Sequence, residues 1–221
     1  MVVSGYRVSG HQTVINNLCS GLYKLGYNVA IGAFSFDQDL PDNIEMVNLK
    51  NFILKSSRYS SNRYDFDIIH SHQPKLNYYS FLTQKPFIFH YHGASNRIQK
   101  INLKVSSYLC RNKISKIIGI SNAAINDLRN ILGEFIFSTL SSSVIVNCGV
   151  DTRYYHMGLP RPYKMGDPQL LFVGNLYPHK NVIRIIKAIP KIIKFYPEVH
   201  FQIVGNGEEY QNLENEIKKK T

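Results

Sequence analysis

A chain of 221 residues with 44% hydrophobic side chains has room for one large or two small domains and is apolar enough to bury a core. Its formal net charge of +11 favours an anionic partner such as a sugar nucleotide or an acidic lipid head group. No stretch has the pattern of a nucleic-acid-binding motif, and no run of about 18 apolar residues occurs, so we expect no nucleic acid, signal peptide or membrane span. Three cysteines without metal or CxxC spacing indicate a reducing, cytoplasmic compartment.

The beginning of the chain predicts a βαβ unit. The expected strand end, loop, helix and second strand cover residues 1–4, 5–11, 14–25 and 27–31. Ser9 and Gly10 fall in the loop, and Gly26 stands where the helix should end. A glycine loop at the start of a helix can present backbone N–H groups to a phosphate, although a simple tight turn has the same sequence pattern.

Two later strands are expected to end in histidines. Further strands are predicted at 44–49, 67–72, 87–91, 116–120 and 144–146, and a helix at 122–132 with Ser121 as its N-cap. His70 and His72 are two apart and face one side of their strand, but metal binding needs a third ligand and the spacing supplies none, so we expect no metal. His92, followed by Gly93, comes where a doubly wound sheet keeps its reactive groups; a histidine that only bonds a neighbouring loop is the alternative.

Residues 98–116 predict a basic amphipathic helix. Apolar residues recur at helical spacing and alternate with lysines such as Lys100 and Lys104. A helix of this kind can lie on an anionic membrane surface. A helix that packs on a sheet and turns a basic face to solvent has the same pattern, so both interpretations stay open.

A second βαβ unit follows a linker. Prolines and glycines without apolar periodicity predict a linker over 158–167, between an N-terminal domain, 1–157, and a second domain, 168–221. In the second domain, strands at 170–173 and 199–204 flank a helix, and Asn175 and Lys180 lie in the loop after the first strand. Ligands of parallel sheets bind at such strand ends, so this unit looks like half of a phosphate site.

Several segments together resemble a known family. FVGNLYPHKN and FQIVGNGEE are similar to the core motifs of retaining GT-B glycosyltransferases of the family 4 type. VNCGVDTRYY, IIGISNAAINDL, YDFDIIHSH and VSGHQTVINNLCSGLYKLGYNVA resemble, in the same order, further segments of that family. The resemblance spans nearly the whole chain and implies an α/β protein with two Rossmann-like domains facing each other across a cleft, the second of them incomplete.

The resemblance also implies roles for individual residues. Ser9 and Gly10 would approach the donor phosphates, His92 would lie beside the donor sugar as a catalytic residue, and Lys180 would neutralise the diphosphate leaving group. Asn175 stands where an arginine usually supplies a second cation. The implied chemistry uses no metal or cofactor, since a fixed ammonium and loop N–H groups stabilise the charge that grows on the β-phosphate.

Two departures from the family pattern matter for function. Pro190 should kink or end the helix that follows Lys180. The family's downstream segment, with two glutamates that hold the donor, is missing, so we expect a truncated second domain. Either a partner chain completes this domain, or it folds as a stub on the N-terminal domain. The expected function is retaining transfer of a sugar from a nucleotide sugar to a lipid-linked, glycan or protein acceptor; the alternative is a non-catalytic relative that acts as a binding or regulatory subunit.

Overall fold

The protein folds into two compact units, residues 1–155 and 156–221. The computed structural model describes residues 1, 10–37, 43–50, 66–82, 85–94, 96–140, 142–153 and 165–219. Residues 5–9 of the predicted first loop, Ser9 among them, and most of the predicted linker lie outside this described part of the chain. None of the described helices is long and apolar enough to cross a membrane.

The first unit is an α/β structure with parallel strands. Its helices are α1 (Gly10–Lys24), α2 (Arg97–Cys110), α3 (Asn122–Leu132) and α4 (Glu134–Thr139), with a 3₁₀ helix at Pro74–Leu82. Its strands are β1 (Ala30–Ala33), β2 (Glu45–Asn48), β3 (Ile69–Ser71), β4 (Phe87–Tyr91), β5 (Ile114–Gly119) and β6 (Ser143–Ile145).

The strands of the first unit form two parallel groups. β1 pairs with β2, and β3, β4, β5 and β6 follow one another in a four-stranded sheet. The backbone of Met1 lies against β1, donating to the carbonyl of Ala30 and accepting from the N–H of Gly32. The connections after β4 and β5 are helical crossovers, the arrangement that parallel strands require. The expected α/β class with parallel sheets is confirmed.

One large core holds this sheet in place. Strand β4 is buried almost throughout, with Phe87, Phe89 and Tyr91 at 0% or 1% exposed, and Leu128 of α3 packs on it at 0%. Ser121 caps α3 as expected, since its hydroxyl accepts a hydrogen bond from the Ala124 N–H at 3.1 Å. The carboxyl ends of β3 and β4 are thereby fixed next to each other.

The second unit is smaller. It contains β7 (Gln169–Val173), a 3₁₀ turn (Pro178–Lys180), α5 (Val182–Ile193), β8 (His200–Val204) and α6 (Tyr210–Lys218). Strands β7 and β8 are parallel neighbours. The helices cover one face of this pair through a core of four buried residues: Leu176, Val182, Ile186 and Leu213.

Three local expectations need correction. Helix α5 continues through Pro190 to Ile193, so the proline does not end it, although it removes one backbone donor. The helix predicted over 98–116 stops at Cys110, because β5 starts at Ile114 to pair with β4. The strand predicted at 27–31 is shifted to Ala30–Ala33, where it pairs with β2.

Candidate functional site

Four histidines lie side by side at the carboxyl ends of β3 and β4. The strands are parallel and Ser71 pairs with Phe89, so the next positions along, His72 and His90, are neighbours. Residues two apart on a strand project from the same face, which brings His70 and His92 to the same place. Neighbouring ring centroids in this group are 4.4 to 5.3 Å apart.

A fifth histidine comes from helix α1. His11, in the first turn of that helix, has its ring centroid 4.3 Å from that of His92 and 5.8 Å from that of His72. The Nδ1 atom of His72 is 3.0 Å from Nε2 of His92, and its Nε2 is 3.2 Å from the Met1 sulfur. We call these five residues, His11, His70, His72, His90 and His92, the histidine cluster.

The histidine cluster is uncharged at neutral pH. Burial is the main cause of a lowered pKa in all five rings, and it lowers the pKa to about 4 for His90 and to about 3 for His70 and His92. The pKa of His72 is well below its usual value, because the ring is buried and surrounded by the other four. The pKa of His11 is also lowered by burial, and a hydrogen bond to the backbone of His72 opposes part of that shift.

Spacing along the chain supplies no third metal ligand beside His70 and His72, but the fold brings further histidines next to them. In the fold, His11, His72 and His92 form one group whose ligand nitrogens lie within 4.8 Å of one another, and His70, His72 and His90 form a second. Spacing along the chain missed them because the extra ligands come from the neighbouring strand and from α1. Consecutive strands of a parallel sheet are usually neighbours, so the paired HSH and HYH sequences were a usable signal.

The cluster opens on a cavity of about 810 Å³ in the first unit. His11, His72, His90 and His92 form part of its wall. Apolar residues such as Phe89 and Ile98 also line it, together with hydrogen-bonding side chains: Gln73, Lys75, Asn96, Gln99, Asn102 and Asp127. A space of this size with many polar groups can hold a ligand that is rich in hydroxyls.

Asp127 and Tyr91 form a hydrogen-bonded pair that sequence reasoning missed. The Tyr91 hydroxyl at the end of β4 donates to Oδ2 of Asp127 on α3. Burial, followed by this hydrogen bond, raises the pKa of Tyr91. The pair fixes the Asp127 carboxylate on the cavity wall, and nothing in the spacing of two residues on separate elements indicates such a contact.

Gly10 lies at the start of α1, with His11 next to it. A Cβ atom built on Gly10 would meet nothing within 4 Å, so packing against the described residues does not require a glycine here. The expected loop position of Gly10 is wrong, because the helix already begins at this residue. Ser9 lies outside the described residues.

The two remaining predicted site residues lie in the second unit. Asn175 and Lys180 are exposed on the segment that joins β7 to α5, and Lys180 is the last residue of the 3₁₀ turn. Two glycines after β8 let their loop pack against this segment. A Cβ on Gly205 would come within 1.9 Å of the Gly174 carbonyl oxygen, and one on Gly207 within 2.6 Å of the Leu176 oxygen. This contact explains the glycines of the VGNG sequence.

Comparison with known proteins places the chain in a class. Residues 8–154 match the family described as Glycosyltransferase Family 4, and residues 161–221 match Glycosyl transferases group 1. A structure of Anabaena Alr3699/HepE in complex with UDP and glucose superposes with a TM-score of 0.67 at 15% identity, covering 99% of this chain and 64% of that one. WaaG, described as a glycosyltransferase involved in lipopolysaccharide biosynthesis, superposes with a TM-score of 0.64 at 13% identity. The match covers 99% of this chain and 66% of the WaaG chain.

Two curated relatives resemble the sequence over 155 residues. The phosphatidyl-myo-inositol mannosyltransferase of Mycobacterium tuberculosis is 27% identical, over 65% of this chain and 38% of its own. The phosphatidyl-myo-inositol mannosyltransferase of Mycolicibacterium smegmatis is 28% identical, over 66% of this chain and 38% of its own length. The matched region therefore spans well under half the length of these relatives.

The fold is that of the GT-B glycosyltransferases, with Rossmann-like α/β units. Within that class, the chain belongs to glycosyltransferase family 4, since the family match covers most of it.

Proposed function

We propose that this protein takes part in the retaining transfer of a sugar from a nucleotide-sugar donor to a lipid-linked, glycan or protein acceptor. The observation that carries the proposal is the position of His92, which lies at the carboxyl end of β4 on the cavity wall and inside the matched family segment. The names of the relatives support a nucleotide-sugar donor and a lipid acceptor, since one was crystallised with UDP and glucose and others are called phosphatidyl-myo-inositol mannosyltransferases.

His92 acts in this proposal as a neutral hydrogen-bonding group. Its pKa of about 3 keeps the imidazole uncharged, so it can bond a hydroxyl of the donor sugar without adding a positive charge near the reacting carbon. Asp127, held by Tyr91, and Asn102 lie on the same cavity wall. They bind acceptor hydroxyls, for which a carboxylate accepts and an amide both donates and accepts.

Lys180 stabilises the leaving group. When the bond between the sugar carbon and the diphosphate breaks, its electron pair goes to the phosphate oxygen, and a fixed ammonium lowers the energy of that charge. Ser9 and, at the start of α1, Gly10 supply backbone N–H groups to the donor phosphates. Asn175 adds a neutral hydrogen bond, which is roughly half as strong as a charge-assisted one. The transfer needs no metal cofactor in this proposal.

The exposed face of α2 suits an acceptor carried by a lipid. Its apolar side chains turned to solvent include Ile98 at 72% and Ile101 at 54% exposed, and Lys100 and Lys104 lie beside them. Buried positions on the opposite face include two serines, Ser106 and Ser107. An apolar stripe flanked by lysines favours peripheral binding to an anionic membrane from the cytoplasmic side. Ile98 also lines the cavity, so a lipid-linked acceptor would reach it directly.

Titration calorimetry with UDP, GDP and ADP sugars tests the donor site. We expect one of these donors to bind, and Lys180→Ala to weaken its binding by about 10-fold, which corresponds to 1.4 kcal/mol. Lys187→Ala, which removes an exposed lysine of α5, is the matched control and should bind as the unaltered protein does. No binding at millimolar donor, or equal losses in the two variants, would contradict the phosphate role of Lys180.

A transfer assay separates catalysis from the alternative of a non-catalytic binding or regulatory subunit. The exposed Asn175 in place of a cation is the observation that favours the alternative. Two results would support the enzyme: the unaltered protein transfers the sugar with its anomeric configuration retained, as measured by NMR, and His92→Ala loses the transfer. Transfer that occurs only with a partner chain that completes the donor site would indicate a divided enzyme. Donor binding without transfer, both alone and with such a partner, would indicate a regulatory subunit.

Sedimentation with vesicles tests the membrane contact. We expect binding to vesicles with anionic lipid and little binding to neutral ones, with Ile101→Glu reducing it strongly. Ile217→Glu, on an exposed position of α6, is the control for adding a charge. Equal reduction by both variants would remove the role of α2.

A further inference from the structure

The histidine cluster leaves buried ring nitrogens without partners. Among the described residues, Nε2 of His11, Nε2 of His70 and both ring nitrogens of His90 are buried and make no hydrogen bond. A buried polar atom without a partner costs about 1–3 kcal/mol. Five of the chain's eight histidines gather here, and neutral imidazole is a good ligand for transition metals.

We propose that His11, His72 and His92 bind one divalent transition-metal ion of the zinc class. Their ligand nitrogens all lie within 4.8 Å of one another. Two ligands of a tetrahedral zinc ion, at about 2.0–2.1 Å each, are roughly 3.3–3.4 Å apart. The 3.0 Å separation of His72 Nδ1 and His92 Nε2 is a few tenths of an ångström shorter, so small ring movements would seat an ion.

The surroundings favour this trio over the second group, His70, His72 and His90. All three rings of the trio line the cavity, which gives the ion an entry path and leaves a fourth position for water. His70 is absent from that wall. The hydrogen bond between the His11 ring and the His72 backbone supplies the outer contact that orients a ligating imidazole.

The ligand set also selects the kind of ion. Three imidazoles suit zinc, cobalt, nickel or copper, whereas magnesium and calcium prefer oxygen ligands. Metal binding does not depend on the proposed sugar transfer. If that transfer holds, an ion on His92 would occupy the nitrogen that the donor sugar needs, and zinc would inhibit.

Chelator-treated protein tests the site directly. We expect calorimetry with zinc chloride to give one ion per chain, cobalt to give the visible absorption of a tetrahedral complex, and magnesium to give no binding. Losing an outer partner of a metal ligand alone costs 10–100-fold in affinity, so His11→Gln should cost at least about 100-fold. His179→Gln removes an exposed histidine outside the cluster and should change nothing.

Further variants assign the ion to this trio and guard against misfolding. His92→Gln should also lose binding, whereas His70→Gln should keep it. Zinc should raise the melting temperature of the unaltered protein but not of His11→Gln, whose fold is checked by circular dichroism. Any of three results would overturn the proposal. These are no heat of zinc binding together with no cobalt absorption, unchanged zinc binding in His11→Gln and His92→Gln, and a loss of binding confined to His70→Gln. These readouts involve no sugar donor, so they fail or succeed separately from the transfer.

Discussion

Strands β4 and β7 have similar apolar sequences and very different surroundings. In β4 four of five residues are buried, and Phe87 is 0% exposed. In β7 alternate residues face solvent, and Leu171 and Val173 are 62% and 68% exposed. The first unit covers both faces of its central strand, whereas the helices of the second unit cover one face of its two-stranded sheet.

The comparison shows what an apolar run specifies. A short run of apolar residues identifies a strand that suits a sheet buried on both sides. Whether the second side is covered depends on other elements, which the run does not encode. The first unit has those elements, α2 and α3 among them, and it is also the unit that buries the histidine cluster. We therefore expect the two units to differ in stability and in their response to pH.

Acid should give the largest difference between the units. The clustered histidines have folded pKa values lowered by burial, to about 4 for His90 and about 3 for His70. Between their unfolded pKa near 6.5 and these values the unfolded state binds more protons, so stability falls as the pH falls. The loss is about 1.4 kcal/mol per pH unit for each such histidine, and several kcal/mol for the cluster. Urea unfolding from pH 7 to pH 4.5 with chelator measures it.

A histidine variant of the cluster provides the control for the acid experiment, in which other charged groups near the cluster must also be considered. The terminal amine of Met1 further lowers the pKa of His70, and Asp127, on the same cavity, is bonded to Tyr91. His90→Leu removes one of these titrations, so its stability should depend less steeply on pH than that of His179→Gln. A slope that is the same in both variants would mean that His90 is not buried as a neutral ring in solution.

Phe87→Ala should give the next largest loss. Phe87 is fully buried in β4, and truncating a buried phenylalanine removes its transfer free energy and leaves a cavity, at a cost of about 3–5 kcal/mol. Denaturant unfolding measures the loss, and hydrogen exchange locates it. Protection should fall in β4 and β5 and stay unchanged in β8. Phe87→Leu, which keeps more volume, should cost clearly less; equal costs would show that packing at this position is loose.

Leu213→Ala should act on the second unit alone. Leu213 of α6 is 3% exposed and is one of only four buried residues in the described core of that unit. Its truncation should cost about 2–3 kcal/mol, at the lower end for a buried leucine, because a small core can relax. Faster hydrogen exchange in β8 with unchanged β4 is the expected result. Loss of protection in both strands would show that the units unfold as one.

How much of this could be predicted from the sequence depends on how local each signal is. The position of β4, the Ser121 cap and the end of α3 at Leu132 follow from periodicity and capping chemistry and are confirmed. The continuation of α5 past Pro190 was not predicted. The apolar face of that helix packs on the small core, and this tertiary contact is not encoded near the proline.

The candidate site was likewise predictable only where its signals are local. The sequence placed His92 at the end of a strand, but the histidine cluster needs α1, β3 and β4 to come together, and no spacing along the chain encodes the distance between His11 and His92. The pair of Tyr91 and Asp127 is likewise a product of how α3 crosses the sheet.

Leu171→Thr should have the smallest effect and tests the comparison at its centre. Leu171 and Phe172 are successive residues of β7, so their side chains point to opposite faces. Phe172 packs on the four-residue core, whereas Leu171 faces solvent. We expect Leu171→Thr to change the unfolding free energy by less than about 0.5 kcal/mol, because the replacement removes little buried area and threonine suits a strand. Phe172→Ala, the matched control, should cost about 2 kcal/mol or more. A loss above about 1 kcal/mol in Leu171→Thr would mean that another chain or segment covers the outer face of β7 in solution, and the contrast with β4 would then disappear.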